Sequence, residues 1–390
     1  MKVELPLLVL SVLVIFSYTF DVLARKTKIP SVLLLLASGM GLRYAAGYFG
    51  LPLRFLDSIL PLLGTLGLIL IVLEGALELK LDREKKTVIR QTLWAALSIL
   101  LLTTAVVTAA IYGLSDAPLR LCFINAVPFG IISSAIAIPS ASVLPVARKE
   151  FVVYESSFSD IFGIVLFNFA IGNQTYGWWA FGKLTFETLA IVVISFVFCL
   201  LLLYLMKSIT HHLKFFLIIS VLVLAYASGK HYHLSSLVII LAFGLLLNNV
   251  MVIPVRWFHR QFVYPNFKAD LEQMHLLSGE SAFLVRTFFF LLFGMSIDLR
   301  GVFDSQVLLI SGVIVMAIYG VRFVYQRLAI PQASLTELLL SPRGLISILL
   351  FLSIPDRERI SLLDKNVLLV VVLVTSVLMT VGLLRSRPAQ

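Results

Sequence analysis

The sequence predicts an all-α polytopic membrane protein with about 13 transmembrane helices in two inverted six-helix repeats, two of them broken crossing helices at spans 5 and 12. Three observations lead there. Of 390 residues, 60% are hydrophobic and 13% charged, against roughly 45–50% and about 25% in soluble domains, which excludes a polar-surfaced globule. Apolar stretches near the ~20 residues that cross a bilayer follow one another with only short polar breaks. Two of those stretches, at equivalent places in the two halves, are interrupted by Pro and Gly.

Read against Gly, Pro and charge punctuation, the spans run over 5–23, 29–48, 58–79, 87–113, 119–146, 154–172, 184–206, 213–229, 234–249, 274–296, 305–327, 335–354 and 364–384. The first has an acid in front and Arg25, Lys26 and Lys28 behind. That is the reverse of a cleavable signal peptide, and the span reads as a retained helix. Loops after odd spans, with the C-terminus, carry nineteen Lys and Arg, and the opposite side ten; Arg286 and Arg343 lie inside spans. The positive-inside rule then places the N-terminus outside and the C-terminus in the cytoplasm. The same count explains the net charge of +10 without nucleic acid, because the basic residues form short clusters between spans rather than one soluble face.

Span three ends LIVLEGALELKL and span ten FFLLFGMSIDLR, each an apolar run, a Gly and an acid-Leu close. Seven spans separate them, and an odd offset reverses the direction of the second copy. Spans five and twelve are then equivalent. The first contains VPFGIISSAIAIPSASVLP and the second SPRGLIS. Broken helices at matching positions of two halves point to a transporter's midplane site.

A carboxylate or guanidinium at mid-bilayer depth costs at least ~2.5–3.5 kcal/mol, so such groups face partners or a wet path. The candidates are Glu74, Glu155, Asp160, Glu280, Arg286, Arg322 and Arg343. Asp160 lies in span six beside Ser156, Ser157 and Ser159. Hydroxyls with a carboxylate make a hard-oxygen setting suited to an alkali cation. The same carboxylate binds a proton, and competition for one site under alternating access gives exchange.

ESSFSD resembles the Glu-Ser-x-x-Asn-Asp motif of the monovalent cation/proton antiporter superfamily, above all its NhaP-type sodium/proton exchangers. SPRGLISILLFLSIP resembles that family's second broken helix, LEGALEL its third helix and RTFFFLLFGMSIDL its tenth. The matches fall in order along the whole chain. The resemblance implies that Asp160 alternately binds cation and proton, with Ser156 as an oxygen ligand, and that Ser159, Ser133 and Ser134 belong to the same site. It implies supporting ion pairs of Glu155 with Arg322 and of Glu74 with Arg343, and makes Arg286 the basic residue of the tenth helix. One exchanger domain, 1–390, would divide into scaffold and dimer helices (1–80 and 184–300) and a mobile core (84–175 and 303–387). The implied assembly is a homodimer among lipids in a bacterial plasma (inner) membrane. The implied transported ions are Na⁺, favoured, or K⁺ or Li⁺, against H⁺, and no cofactor is expected.

Three departures qualify this. Ser159 stands where NhaP-type proteins have Asn and the electrogenic branch a second Asp; a single carboxylate favours electroneutral exchange. Ile132, Ser133 and Ser134 replace the usual Thr-Asp-Pro, a Ser-rich version similar to Kef-type potassium/proton antiporters, which bears on sodium selectivity. The sequence closes soon after span thirteen, leading to the expectation of no nucleotide-binding tail.

Other features read as solvated or interfacial. His211, His212, His231, His233 and His259 lie in or beside loops, Trp178 and Trp179 mark a membrane interface, and KLDREKK at 80–86 anchors span three. Cys122 and Cys199 form no metal spacing, and no Gly-rich phosphate loop is present. The alternatives to an antiporter are a passive cation channel using Asp160 as a selectivity group and an anion or organic-solute symporter of related architecture. A membrane enzyme lacks a convergent catalytic set.

Overall fold

The computed structural model describes residues 4–27, 29–48, 56–81, 84–141, 144–172, 178–208, 214–231, 236–252, 260, 262–297, 299–329 and 334–385. Nearly all of them are helical. In chain order the helices are α1 (Glu4–Thr27), α2 (Ser31–Tyr48), α3 (Leu56–Glu78), α4 (Lys86–Leu114), α5 (Leu119–Gly130), α6 (Ser134–Ser140), α7 (Val146–Gly172), α8 (Trp178–Ser208), α9 (Lys214–His231) and α10 (Ser236–Asn249). They continue with α11 (Phe267–Met295), α12 (Leu299–Val302), α13 (Ser305–Ala329), α14 (Leu335–Leu339), α15 (Leu345–Leu352) and α16 (Lys365–Arg385). Among the described residues six helical stretches are long and apolar enough to cross a membrane. Each expected span coincides with a helix or a broken pair, α5 with α6 and α14 with α15.

The ends differ where helix outlasts hydropathy. α7 begins at Val146 rather than 154, and α11 at Phe267 rather than 274. The added turns carry Arg148, Lys149, Lys268 and Glu272, all exposed. Hydropathy reports the solvent around a helix, whereas the backbone ladder continues into water. Trp178 and Trp179, as side chains, and His211, His212, His233 and His259 lie outside the described residues, as do Asp82 and Arg83 of the KLDREKK segment.

Two packing groups are apparent. α1, α2, α3, α8, α9, α10 and α11 pack on one another, and α4 to α7 pack with α13 to α16. Between the groups α3 touches α6 and α15, and α10 touches α7. In the first group α2 and α11 cross at Gly39 and Gly294. A Cβ on Gly39 would stand 2.2 Å from the Leu291 carbonyl oxygen, and one on Gly294 2.6 Å from that of Leu36. Only glycine permits backbones to approach this closely, and in lipid such van der Waals packing replaces the hydrophobic drive between helices.

In the second group the breaks follow from Pro and Gly. α5 starts after Pro118, whose carbonyl accepts from Leu121 and Cys122 N–H, and stops at Gly130. α14 opens with a reciprocal cap, the Ser334 hydroxyl accepting from Glu337 N–H and the Glu337 carboxylate from Ser334 N–H at 2.6 Å. It ends short of Pro342, which cannot donate to a continuing helix.

Candidate ion-binding site

A helix broken inside a membrane leaves backbone groups without intrahelical partners, and lipid offers none. The two unwound segments first satisfy each other: Ser133 N–H donates to the Pro342 carbonyl at 2.9 Å. Gly344 lies against Ser133, where a Cβ would come within 2.4 Å of the Ser133 hydroxyl. The remaining N–H groups turn to α7. Ile132 N–H donates to Ser159 Oγ at 2.9 Å, and Ser134 N–H to Asp160 Oδ2 at 3.3 Å. The carbonyl side turns to Arg343, whose Nε donates to Phe129 O at 2.6 Å and Nη1 to Ser341 O and Oγ at 3.0 and 2.9 Å. Its own N–H donates to Thr375 Oγ1 of α16 at 3.0 Å.

Asp160 is therefore set at the crossing, 7% exposed. Its Oδ1 has no hydrogen-bond partner among the described residues, and no guanidinium or ammonium pairs with it there. The Ser134 hydroxyl lies beside the carboxylate, and Glu78 at the end of α3 is its acidic neighbour. Ser156 stands one helical turn before Asp160 and shares its face. Its hydroxyl hydrogen goes back to Val152 O at 2.8 Å, leaving the oxygen's lone pairs free to accept. Ser159 differs: its oxygen already holds Ile132 N–H. Ser133 Oγ is buried with no partner among the described residues.

Of the two expected ion pairs, the geometry brings one together. Arg322 of α13 meets Glu155 of α7 through two parallel bonds of 2.9 Å, with Nε on the Glu337 carbonyl at 3.1 Å. Glu74 and Arg343, expected to pair, do not. Glu74 instead meets Arg286 at 3.3 and 3.4 Å, because α3 packs along α11 and so turns Glu74 toward the guanidinium on that helix. Arg343, wholly buried, is held instead by the carbonyls that the breaks expose, at the partly negative ends of helical segments. Arg286 also reaches across to the Ala135 carbonyl of α6 at 3.3 Å.

Sequence reasoning missed Glu78, although the Glu-x-x-x-Glu spacing of LEGALEL puts both acids on one face of α3. It also missed Thr375, one of three hydroxyl residues, with Ser376 and Thr380, in an otherwise apolar helix. Among the described residues no cluster of three or more His, Cys, Asp or Glu suits a resident metal ion.

The family described as sodium/hydrogen exchanger, transmembrane, matches residues 10–385. The structure of the sodium proton antiporter MjNhaP1 from Methanocaldococcus jannaschii at pH 8 is similar, with a TM-score of 0.71 and 18% identity over 98% of this chain and 96% of that one. A three-dimensional electron-microscopy map of the MjNhaP1 antiporter gives a TM-score of 0.65, also at 18% identity, over 98% and 95%. At that identity the likeness shows the fold. No curated protein matches the chain by sequence. The family match and the apolar helices together make this an integral, multi-pass membrane protein.

Proposed function

Because the chain belongs to the sodium/hydrogen exchanger family, we propose that it is a secondary antiporter, not an enzyme, exchanging a monovalent cation for H⁺ at Asp160. Na⁺ is the favoured cation, with K⁺ or Li⁺ as substitutes. The observation that carries this reading is a buried carboxylate with one oxygen held by a helix-break N–H and the other without a partner among the described residues. A carboxylate so placed needs a positive guest, and either a proton or an alkali ion meets the need.

When Asp160 is protonated, its charge is cancelled within one group. When a cation displaces the proton, Asp160 Oδ1 and the oxygens of Ser156 and Ser134 supply hard ligands, while the Ser134 N–H keeps Oδ2 oriented. Ser133 borders the site, and Ser159 serves it by holding the unwound backbone. Both loaded states carry the same net charge, so one-for-one exchange is electroneutral. Alternating access follows if α4–α7 and α13–α16 move as one body against the other packing group, which would also furnish the contact of a homodimer. The charge count sets the N-terminus outside and the C-terminus in the cytoplasm of a bacterial plasma membrane. Glu155 with Arg322, and Arg343 with its carbonyls, hold the moving body together; Glu74 and Arg286 lie at its boundary.

In vesicles with an interior pH dye, the protein is expected to drive proton flux on addition of Na⁺, K⁺ or Li⁺ salts, with a rate indifferent to imposed voltage. Asp160→Asn is expected to insert normally and to lose exchange, because an amide can neither take the proton nor compensate the cation. Cation-driven proton flux persisting in that variant would sink the assignment.

A further inference from the structure

Three stretches of chain carry the proposed ion site: α5 with α6, α7, and α15 with the unwound segment before it. Their inner ends are joined by the crossing bonds described above. Their far ends are joined as well, by a second polar cluster the transport reading leaves unused. Arg120, in the first turn of α5, donates from Nη2 to the Ile171 carbonyl at the end of α7 at 3.3 Å and to Glu358 Oε1 at 3.1 Å. Glu358 closes the short 3-10 turn Asp356–Glu358 that follows α15. Asn125, further along α5, donates from Nδ2 to the Glu358 carbonyl at 2.8 Å and to the Leu121 carbonyl at 2.9 Å.

Asn125 is fully buried and Glu358 8% exposed. Both Asn125 amide hydrogens go to carbonyls, which fixes the orientation of the group and leaves its Oδ1 as a buried acceptor. A buried polar cluster is no more stable than well-packed apolar residues of the same volume. What it adds is register, because a hydrogen bond to a particular carbonyl does not slide as apolar contacts do.

The lengths give that register a consequence. From Arg120 to Gly130 is ten residues of helix, about 15 Å, and from Asp160 to Ile171 eleven, about 16 Å. α15 adds eight more, about 12 Å, before the turn that bears Glu358. Helices keep their length, so three struts of similar reach fastened at their far ends have their near ends fixed too. We propose that Arg120, Asn125 and Glu358 are positioning residues for the ion site: they set the axial register of α5, α7 and α15, and through it the spacing of Asp160, Ser134 and the unwound backbone. This rests on the reading of Asp160 as the ion-binding group.

The test measures half-saturating cation concentration, maximal rate and the Na⁺, Li⁺, K⁺ preference in dye-loaded vesicles, for Glu358→Gln, Asn125→Ala and Arg120→Lys. Lys keeps the charge beside Glu358 but is shorter and lacks the planar guanidinium fork, so it holds Glu358 and the Ile171 carbonyl together less well. An ångström of misplacement at a site is enough to change its performance severalfold. Glu358→Gln and Asn125→Ala are therefore expected to raise half-saturation about threefold or more and to alter ion preference, with maximal rate within about twofold. Arg120→Lys should fall between these and the parent. Unchanged half-saturation and preference in all three overturns the proposal. If a substitution lowers the amount of folded protein, cation-induced thermal stabilisation of Arg120→Lys in detergent gives the same constant. A parental value there, with poorer folding, makes the cluster a folding element only and equally overturns it. Asp160→Asn, run alongside, separates the two readings: lost exchange in that variant with unaltered junction variants removes this inference and leaves the antiporter standing.

Discussion

Two of the Arg–Glu pairs in the helical bundle are built from the same chemistry to opposite ends. Arg322 and Glu155 make two bonds of 2.9 Å with side chains 2% and 3% exposed. Arg286 and Glu74 stand 3.3 and 3.4 Å apart with side chains 15% and 19% exposed. The tight pair joins α7 to α13 inside one packing group. The loose one lies on α3 and α11 in the other group, and its guanidinium also touches α6 across the boundary. A fork-to-fork geometry in a dry setting fixes two helices. A longer, less buried contact is easier to remake, and it stands at the boundary between the two packing groups.

The comparison breaks most easily at the tight pair. Arg322→Ala leaves Glu155 as an uncompensated buried charge, a loss of about 3–5 kcal/mol. Thermal unfolding in detergent is expected to show a large drop, or the variant will fail to accumulate. An unaltered melting temperature would mean that water reaches Glu155 and that the two pairs do not differ in kind. Next in size is Arg343→Ala, which removes the donor from the Phe129 and Ser341 carbonyls at about 1–3 kcal/mol for an orphaned buried group. A double-mutant cycle with Glu74→Ala locates the cause. The two substitutions should add within about 0.5 kcal/mol, as independent sites do. Strong coupling would restore the pairing of Glu74 with Arg343 that the geometry rejects.

That rejected pairing marks where sequence stopped being informative. The spans were legible because lipid imposes a length and an apolar character on each helix, and the breaks because Pro128, Gly130, Pro342 and Gly344 cannot sit quietly in a ladder. Asp160 stood out because an acid in an apolar run is expensive. The partner of Glu74 was not legible: a charge in a span shows that it needs a neighbour, and which helix turns toward it depends on packing. Here the close Gly39–Gly294 crossing holds α11 against α2, and the packing of α11 along α3 supplies Arg286. Glu78 was hidden by its position at a helix end, where an acid costs little and attracts no notice. Arg120 and Glu358, close to span ends, draw no notice for the same reason, since hydropathy cannot tell a solvated charge from one folded under a turn.

The smallest effect expected on stability is the one that bears most closely on movement. Arg286→Ala and Glu74→Ala, with their double variant, should each change unfolding less than Arg322→Ala does and couple more weakly than Arg322 with Glu155, because the pair is longer and its side chains are 15% and 19% rather than 2% and 3% exposed. A coupling near the several kcal/mol of a dry pair would erase the distinction from Arg322–Glu155. The same variants are expected to alter transport more than stability. Arg286 reaches Ala135, the residue after Ser134, so removing it frees one edge of the segment whose N–H holds Asp160. Exchange rates in vesicles should therefore change severalfold in Arg286→Ala while its melting temperature stays near the parent's. A fall in stability matched by no change in exchange would place Arg286 among the residues that merely hold the bundle.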